Sequence, residues 1–413
     1  MPLLVPIHEL HAGMTLGQPV RHGGRVLLYA GRALSERDIS SLRDRLPGLT
    51  VTVNDPILDG AVEFEDIDHE THLAEIVSQT VADAILELQR HCYVHSGLPP
   101  RNLHAAQSVV MDALRQLEEC PKLINGLTRP CLGTDYLTQH TGNVFYLATL
   151  LGRAVRSYIS QERGRDINAW GVDRRHLFDL TPLALAAAYM DLGMLPLREL
   201  YGADGSLTPL DRKRVCEHPL SGAAMLPDSA SVLVRAVIKT HHENCDGSGY
   251  PRGISGKRLH VFARILRIAD AYDAATSRHV YKQAKSPARV LWEMTVGPYS
   301  RFYDPVLISV FARLVQPFPI GTKLRLTDGR YAVVVRYNRN NPYAPHVVIA
   351  FGRDNKPLPA DQLVGPFGLS ERPDLRIVSH GDEDMAYIYR GNFGQSPPLD
   401  PGKFSSLYEA MYP

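Results

Sequence analysis

From about residue 70 to residue 317, apolar side chains recur three and four positions apart with few interruptions. That spacing collects them on one face of an α-helix and makes the chain mainly α. "THLAEIVSQTVADAILELQ" sets Leu73, Ile76, Val77, Val81, Ala84, Ile85 and Leu88 on one stripe, and "VVMDALRQLEE" continues in kind. "YLTQHTGNVFYLATLLGRAV", "LALAAAYMDLGML" and "VFARILRIADAYDAATS" are apolar on more of their circumference and read as core helices. "SPARVLWEM" begins another, with Ser286 and Pro287 as its start signal.

The ends of the chain read differently. Residues 1–55 form a small α/β unit: "MTLGQPV", "RVLLYAG" and "LTVTV" suit strands. "LSERDISSLRDRL" suits a helix capped by Ser35, with Ile39, Leu42 and Leu46 on one side. Residues 56–129 read as a linker, acidic over 57–70, followed by a helical segment. The main helical domain covers 130–318 and a β-rich domain covers 319–385. There "KLRLTDGRYAVVVRY" is a hairpin signal, with Asp328-Gly329 suited to a type I′ turn. Residues 386–413 form a tail.

Composition narrows the function classes. The 413 residues are 44% hydrophobic and 22% charged, as in an ordinary globular protein. Basic and acidic side chains number 45 and 44, so no charge excess points to DNA or to a membrane surface. No stretch reads as a secretory signal or a membrane-spanning helix. The odd set of Cys92, Cys120, Cys131, Cys216 and Cys245, without a CxxC pair, fits a reducing, cytoplasmic setting. A GxxxxGK[ST] phosphate loop is absent. The residues neither require nor exclude a homo-oligomer.

Two carboxylates stand out against their surroundings. Asp270 lies among Ile265, Leu266, Ile268 and Ala269, and Asp191 between Met190 and Leu192. A buried carboxylate needs a metal, a base or a donor, and an ion pair with Arg267 satisfies Asp270 as well as a metal does. The adjacent His241 and His242 fit a surface or helix-end feature. They also fit a ligand pair, because a chain that leaves the helix can turn both rings to one point. The following "DGSGYP" enforces such a turn: Gly247 and Gly249 permit unusual backbone angles and Pro251 bars a helix. A set of nitrogen and oxygen donors suits iron or manganese better than structural zinc, which prefers thiolates.

"HHENCDGSGYPRGISGKRLHVFARILRIADAYDAATS" resembles the signature of HD-GYP domains, cyclic di-GMP phosphodiesterases within the HD superfamily of metal-dependent phosphohydrolases. The resemblance extends to "QHTGNV", "MDLGM" and "EHPLSGAAML", and over about 130–315. It implies an HD-like helical bundle with two metal sites that share Asp191. His218, His241 and His242 complete one; His140 and Asp270 serve the other, with Asp191 and Asp270 as the catalytic carboxylates. Gly249, Tyr250, Pro251, His279 and Lys282 fall where the family contacts substrate. Three positions depart from the pattern. Met190 replaces the histidine of the name-giving His-Asp pair. Met194 replaces a phosphate-contacting lysine, and His279 an arginine. Tyr136 stands where some members have a further carboxylate ligand. The resemblance with these losses implies a degenerate member that binds cyclic di-GMP or a protein signalling partner with little turnover. The competing expectation is an active phosphodiesterase, yielding pGpG or GMP from a modified site.

Overall fold

The computed structural model describes residues 2–22, 25–46, 49–55, 58, 68–94, 100–120, 136–170, 177–201, 208–277 and 284–389. They fall into two compact units. One takes the described residues of Met1–Asp66 and Gln316–Pro397; the other takes those of Ile67–Cys131 and Asp135–Val315.

The first unit holds α1 (Glu36–Arg45) and strands β1 (Pro2–Pro6), β2 (Thr15–Leu16), β3 (Val20–His22), β4 (Arg25–Leu28) and β5 (Thr50–Asn54). It also holds β6 (Lys323–Leu326), β7 (Tyr331–Arg336), β8 (His346–Phe351), β9 (Val364–Gly368), β10 (Ile377–His380) and β11 (Glu383–Asp384). The sheets run β1-β5-β2, β3-β4 and β11-β10-β6-β7-β8-β9, antiparallel throughout. Ser35 caps α1 in a reciprocal box with Asp38, and Ile39, Leu42 and Leu46 are buried.

Residues 1–55 and 319–385 thus share a unit where the sequence reads as two domains. Leu3, Val5, Leu16, Val51 and Val53 pack in one core with Val333, Val335, Val348 and Ala350. The Leu4 N–H donates to the Gly321 carbonyl at 3.0 Å. A segment of some 55 residues buries too little apolar surface to stand well alone, and each segment covers the other's apolar face. The β6–β7 hairpin also differs from the expected type I′ turn. Gly329 has φ +88° while Asp328 does not reach positive φ. The Gly329 N–H donates to the Leu326 carbonyl and the Leu326 N–H to that of Arg330, so the loop is one residue longer. The Asp328 side chain accepts from the Arg330 N–H at 3.0 Å, which favours that form.

The second unit contains α2 (Asp68–Val94), α3 (Pro100–Glu119), α4 (Tyr136–Ala154), α5 (Arg156–Trp170), α6 (Thr181–Tyr189) and α7 (Pro209–Met225). It continues with α8 (Val232–Thr240), α9 (Val261–Thr276), α10 (Pro287–Thr295) and α11 (Pro305–Leu314). Helix α4 is central: nearly every residue from Leu137 to Gly152 is buried, and it packs on α2, α6 and α9. Helices α2 and α3 belong to this bundle, so the segment read as linker and helix before 130 is part of the helical unit from Asp68 onward. The buried stripe of α2 is Ala74, Val77, Val81, Ile85 and Leu88, while Ile76 points outward at 44% exposure. Ser286 caps α10 by accepting from the Arg289 N–H, as its position ahead of Pro287 suggests.

Candidate metal centre

Four elements of the helical unit converge on Asp191. The chain leaves α6 at Met190 and tightens into a 3-10 segment, Leu192–Tyr201. That segment lies hard against α7. A Cβ on Gly193 would stand 2.1 Å from the His218 carbonyl oxygen, so only glycine permits the approach. It carries Asp191 to His218, where Oδ1 lies 3.3 Å from Nε2. Helix α8 ends at Thr240 and delivers His241 and His242 together, with ring centroids 4.1 Å apart. Adjacent histidines converge because the helix stops between them and the turn.

The ligand atoms of Asp191, His218, His241 and His242 all lie within 4.8 Å of one another. The Nδ1 atoms of His218 and His241 each face a backbone carbonyl at 2.6 Å, those of Val215 and Ile238. Those carbonyls assign the N–H to Nδ1 and leave the Nε2 lone pairs free. The two Nε2 atoms then face each other at 3.3 Å, with Asp191 Oδ1 beside them. Lone pairs so placed repel unless a proton or a cation lies between. The donor set therefore fits a metal ion. Burial, and then the neighbouring His242 and His218, hold His241 well below the ordinary histidine range, so its imidazole is neutral and ready to ligate. Burial pushes the Asp191 carboxyl up, but the imidazoles around it, His218 foremost and then His140, outweigh it and hold the group at about 2.

The second half of the centre has a different character. Asp191 Oδ2 faces His140 Nε2 at 3.6 Å, so the carboxylate joins both halves. His140 also lies 3.2 Å from Asp270 Oδ1 through Nε2 and 2.7 Å from Asp273 Oδ2 through Nδ1. Carboxylates thus face both nitrogens, and the Nδ1 contact with Asp273 is the shorter. Burial opposes its charge, but the bonds with Asp270 and Asp273 raise its pKa well above the ordinary value. Asp270 is also pushed up by burial, and His242 with the His140 hydrogen bond outweighs this and keeps it well below the carboxylate range. Arg267 Nη1 lies 3.4 Å from Asp270 Oδ2, so the ion pair weighed from sequence is present beside the histidines. Met190 is fully buried, and Met194 nearly so. Tyr136 stacks on His140 with centroids 5.3 Å apart.

The DGSGYP turn is built onto the ligands. A Cβ on Gly249 would stand 2.3 Å from the Asn244 nitrogen and 2.5 Å from the His242 oxygen, so the turn can fold back only at glycine. Glu243 is buried and accepts from the Arg252 and Ile254 N–H groups at 2.8 and 3.1 Å. Tyr250, which precedes Pro251 through a cis peptide, stacks on His242 with centroids 4.6 Å apart.

The structure thus brings His140, Asp191, His218, His241, His242 and Asp270 into one cluster, with Gly249, Tyr250 and Pro251 in the turn that carries Tyr250 onto it. His279 and Lys282 lie outside the described residues. Sequence reasoning missed the support behind His140. Asp273 Oδ1 accepts from Asn143 Nδ2 at 2.8 Å, and Asn143 Oδ1 accepts from Ser78 at 2.9 Å. The one available signal is that Asp273 and Asn143 stand three positions from Asp270 and His140, on the same helix faces.

Residues 171–307 match the family model described as HD domain. The chain is 32% identical over 197 residues to the cyclic di-GMP phosphodiesterase PA4108 of Pseudomonas aeruginosa, covering 47% of this chain and 47% of that one. It is 30% identical over 139 residues to a cyclic di-GMP phosphodiesterase of Thermotoga maritima, covering 33% and 38%. The chain therefore matches less than half the length of either relative. A solved HDG"Y"P protein of Bdellovibrio bacteriovorus, Bd1817, aligns with 75% of this chain and 97% of its own at 14% identity. Its TM-score of 0.42 is too low to carry an argument. Within the helical unit, residues 171–307 carry an HD domain, and the chain is similar to cyclic di-GMP phosphodiesterases.

Proposed function

We propose that this chain is a cyclic di-GMP signalling protein of the HD-GYP type that holds one divalent ion and turns the nucleotide over slowly or not at all. The observation that carries this reading is the asymmetry of the centre. Asp191, His218, His241 and His242 cluster as four donors, while His140 also faces Asp273 and Asp270 also faces Arg267. The mixed nitrogen and oxygen donors suit iron or manganese. An ion held by these four residues would supply Lewis acidity. The chain's own residues hold Asp191 ionised, keep His241 neutral and position Tyr250 over His242. Hydrolysis of a phosphodiester also calls for positive charge at the phosphate, and Met194, at the position of the lysine that the resemblance implies, offers none. What remains is a turn able to recognise cyclic di-GMP or a protein partner.

The test is elemental analysis after anaerobic purification, together with cyclic di-GMP hydrolysis in Fe(II) and in Mn(II). About one ion per chain and negligible pGpG or GMP are expected. Two ions with rapid turnover would overturn the reading in favour of an active phosphodiesterase. That second reading is favoured by the intact four-donor set and by the activity the relatives' names give.

A further inference from the structure

Arg267 precedes Asp270 by one turn of α9 and shares its face. Its Nη1 lies 3.4 Å from Asp270 Oδ2, its Nε donates to Asn244 Oδ1 at 2.9 Å, and its Cζ lies 5.7 Å from the centroid of the Tyr303 ring. A side chain that is flexible when free is thus held from three directions, and it is only 17% exposed. The oxygen it meets is the one His242 Nδ1 approaches at 3.3 Å. The other oxygen of Asp270 faces His140. A guanidinium keeps its proton at any working pH and has no lone pair to give a metal.

We propose that Arg267 stands in for an ion at Asp270, as the built-in cation that restricts the centre to a single divalent metal. The inference rests on the one-ion reading above and adds what excludes the second ion. An ion on Asp270 would lie beside a fixed like charge in a site largely shielded from water, where repulsion is strong. Loss of the histidine at Met190 is then half of the change, and Arg267 is the other half. Restoring a ligand at 190 is not sufficient to seat a second ion while the guanidinium stays.

The full chain tests this with Mn(II) as the probe, by equilibrium dialysis and elemental analysis under anaerobic conditions. Arg267→Gln removes the charge and keeps a side chain able to reach Asn244. Met190→His alone should bind one equivalent, as the wild type does. Met190→His with Arg267→Gln should bind a second, at least tenfold tighter than any second ion on Met190→His. A second arm uses melting temperature in EDTA for Arg267→Gln, Asp270→Asn and the pair. Arg267→Gln should lower it, and Asp270→Asn should erase that loss, because no carboxylate then needs the cation. Two equivalents on Met190→His alone, one equivalent on the double variant, or strictly additive melting shifts would each overturn the proposal. Should the wild type bind no Mn(II), the one-ion reading fails by itself. The EDTA arm still decides whether Arg267 serves Asp270.

Discussion

The two halves of the centre share Asp191 and differ in what their histidines can give. In the His218–His241 half, backbone carbonyls take the Nδ1 protons and the Nε2 lone pairs face inward. In the His140 half, carboxylates face both nitrogens, Asp273 at Nδ1 and Asp270 at Nε2. The same residue type faces a backbone carbonyl in one place and a carboxylate in the other. That partner sets the tautomer and the charge.

The largest effect that can break this contrast is loss of metal. His241→Ala with His242→Ala should reduce bound metal from about one equivalent to none, whereas His140→Ala should leave the ion in place. Elemental analysis of the purified variants decides it. Equal loss in His140→Ala would mean that the two halves hold the ion jointly.

Turnover comes next. Against a relative with both sites complete, cyclic di-GMP hydrolysis should be lower by roughly 100-fold or more, since even an outer-shell change costs about 10- to 100-fold. Combining Met190→His, Met194→Lys and Arg267→Gln should recover part of the difference. Single-turnover assays at saturating Mn(II) measure it, with circular dichroism to confirm the fold. Wild-type hydrolysis at the relative's rate would remove the functional meaning of the contrast.

A smaller effect sits on the intact half. Tyr250→Ala should weaken cyclic di-GMP binding by tens of fold in titration calorimetry, because a rigid aromatic on a fixed turn loses little entropy on contact. Tyr250→Phe, which keeps the stack on His242, should stay near wild type. Unchanged binding in Tyr250→Ala would leave the turn with a packing role only.

Part of the cluster around Asp191 was legible in the sequence because its logic is local. Asp191 and Asp270 sit among apolar residues where a carboxylate must find a partner, and "HHENCDGSGYP" ends a helix by turn chemistry. The support of His140 was not legible. Ser78, Asn143 and Asp273 are short polar side chains in helices, and their pairing joins residues 65 and 130 positions apart. Nothing in local periodicity distinguishes them from solvated residues. The same holds for β1, whose "PLLVP" is short and bounded by prolines yet pairs with β5 through its full length. It holds also for the common core of residues 1–55 and 319–385, which depends on packing between distant segments rather than on either pattern. Asp328-Gly329 marked the hairpin correctly, but the choice of loop turned on φ at a single residue.

His260 sharpens the contrast with the smallest expected effect. It is a half-buried histidine whose free nitrogen is already used: Nδ1 accepts from the Phe262 N–H at 3.1 Å and caps α9, the helix that carries Arg267, Asp270 and Asp273. Burial, and then Arg163 and Arg264, lower its pKa to about 4. The unfolded value is about 6.5, so as pH falls the unfolded chain takes the proton first. The stability that neutral His260 confers is therefore complete above pH 6.5 and is lost progressively down to about 4. Between pH 7 and pH 5 the loss should be roughly 1–2 kcal/mol. His260→Asn keeps a capping oxygen without titrating, so its stability should fall less over that interval while matching the wild type near pH 7. Urea denaturation in EDTA at both pH values measures the difference and keeps metal release out of the comparison. Parallel pH dependence in the two proteins would show that His260 is free to charge in the fold, and that a single partner on one nitrogen is too little to set a half-buried histidine's state.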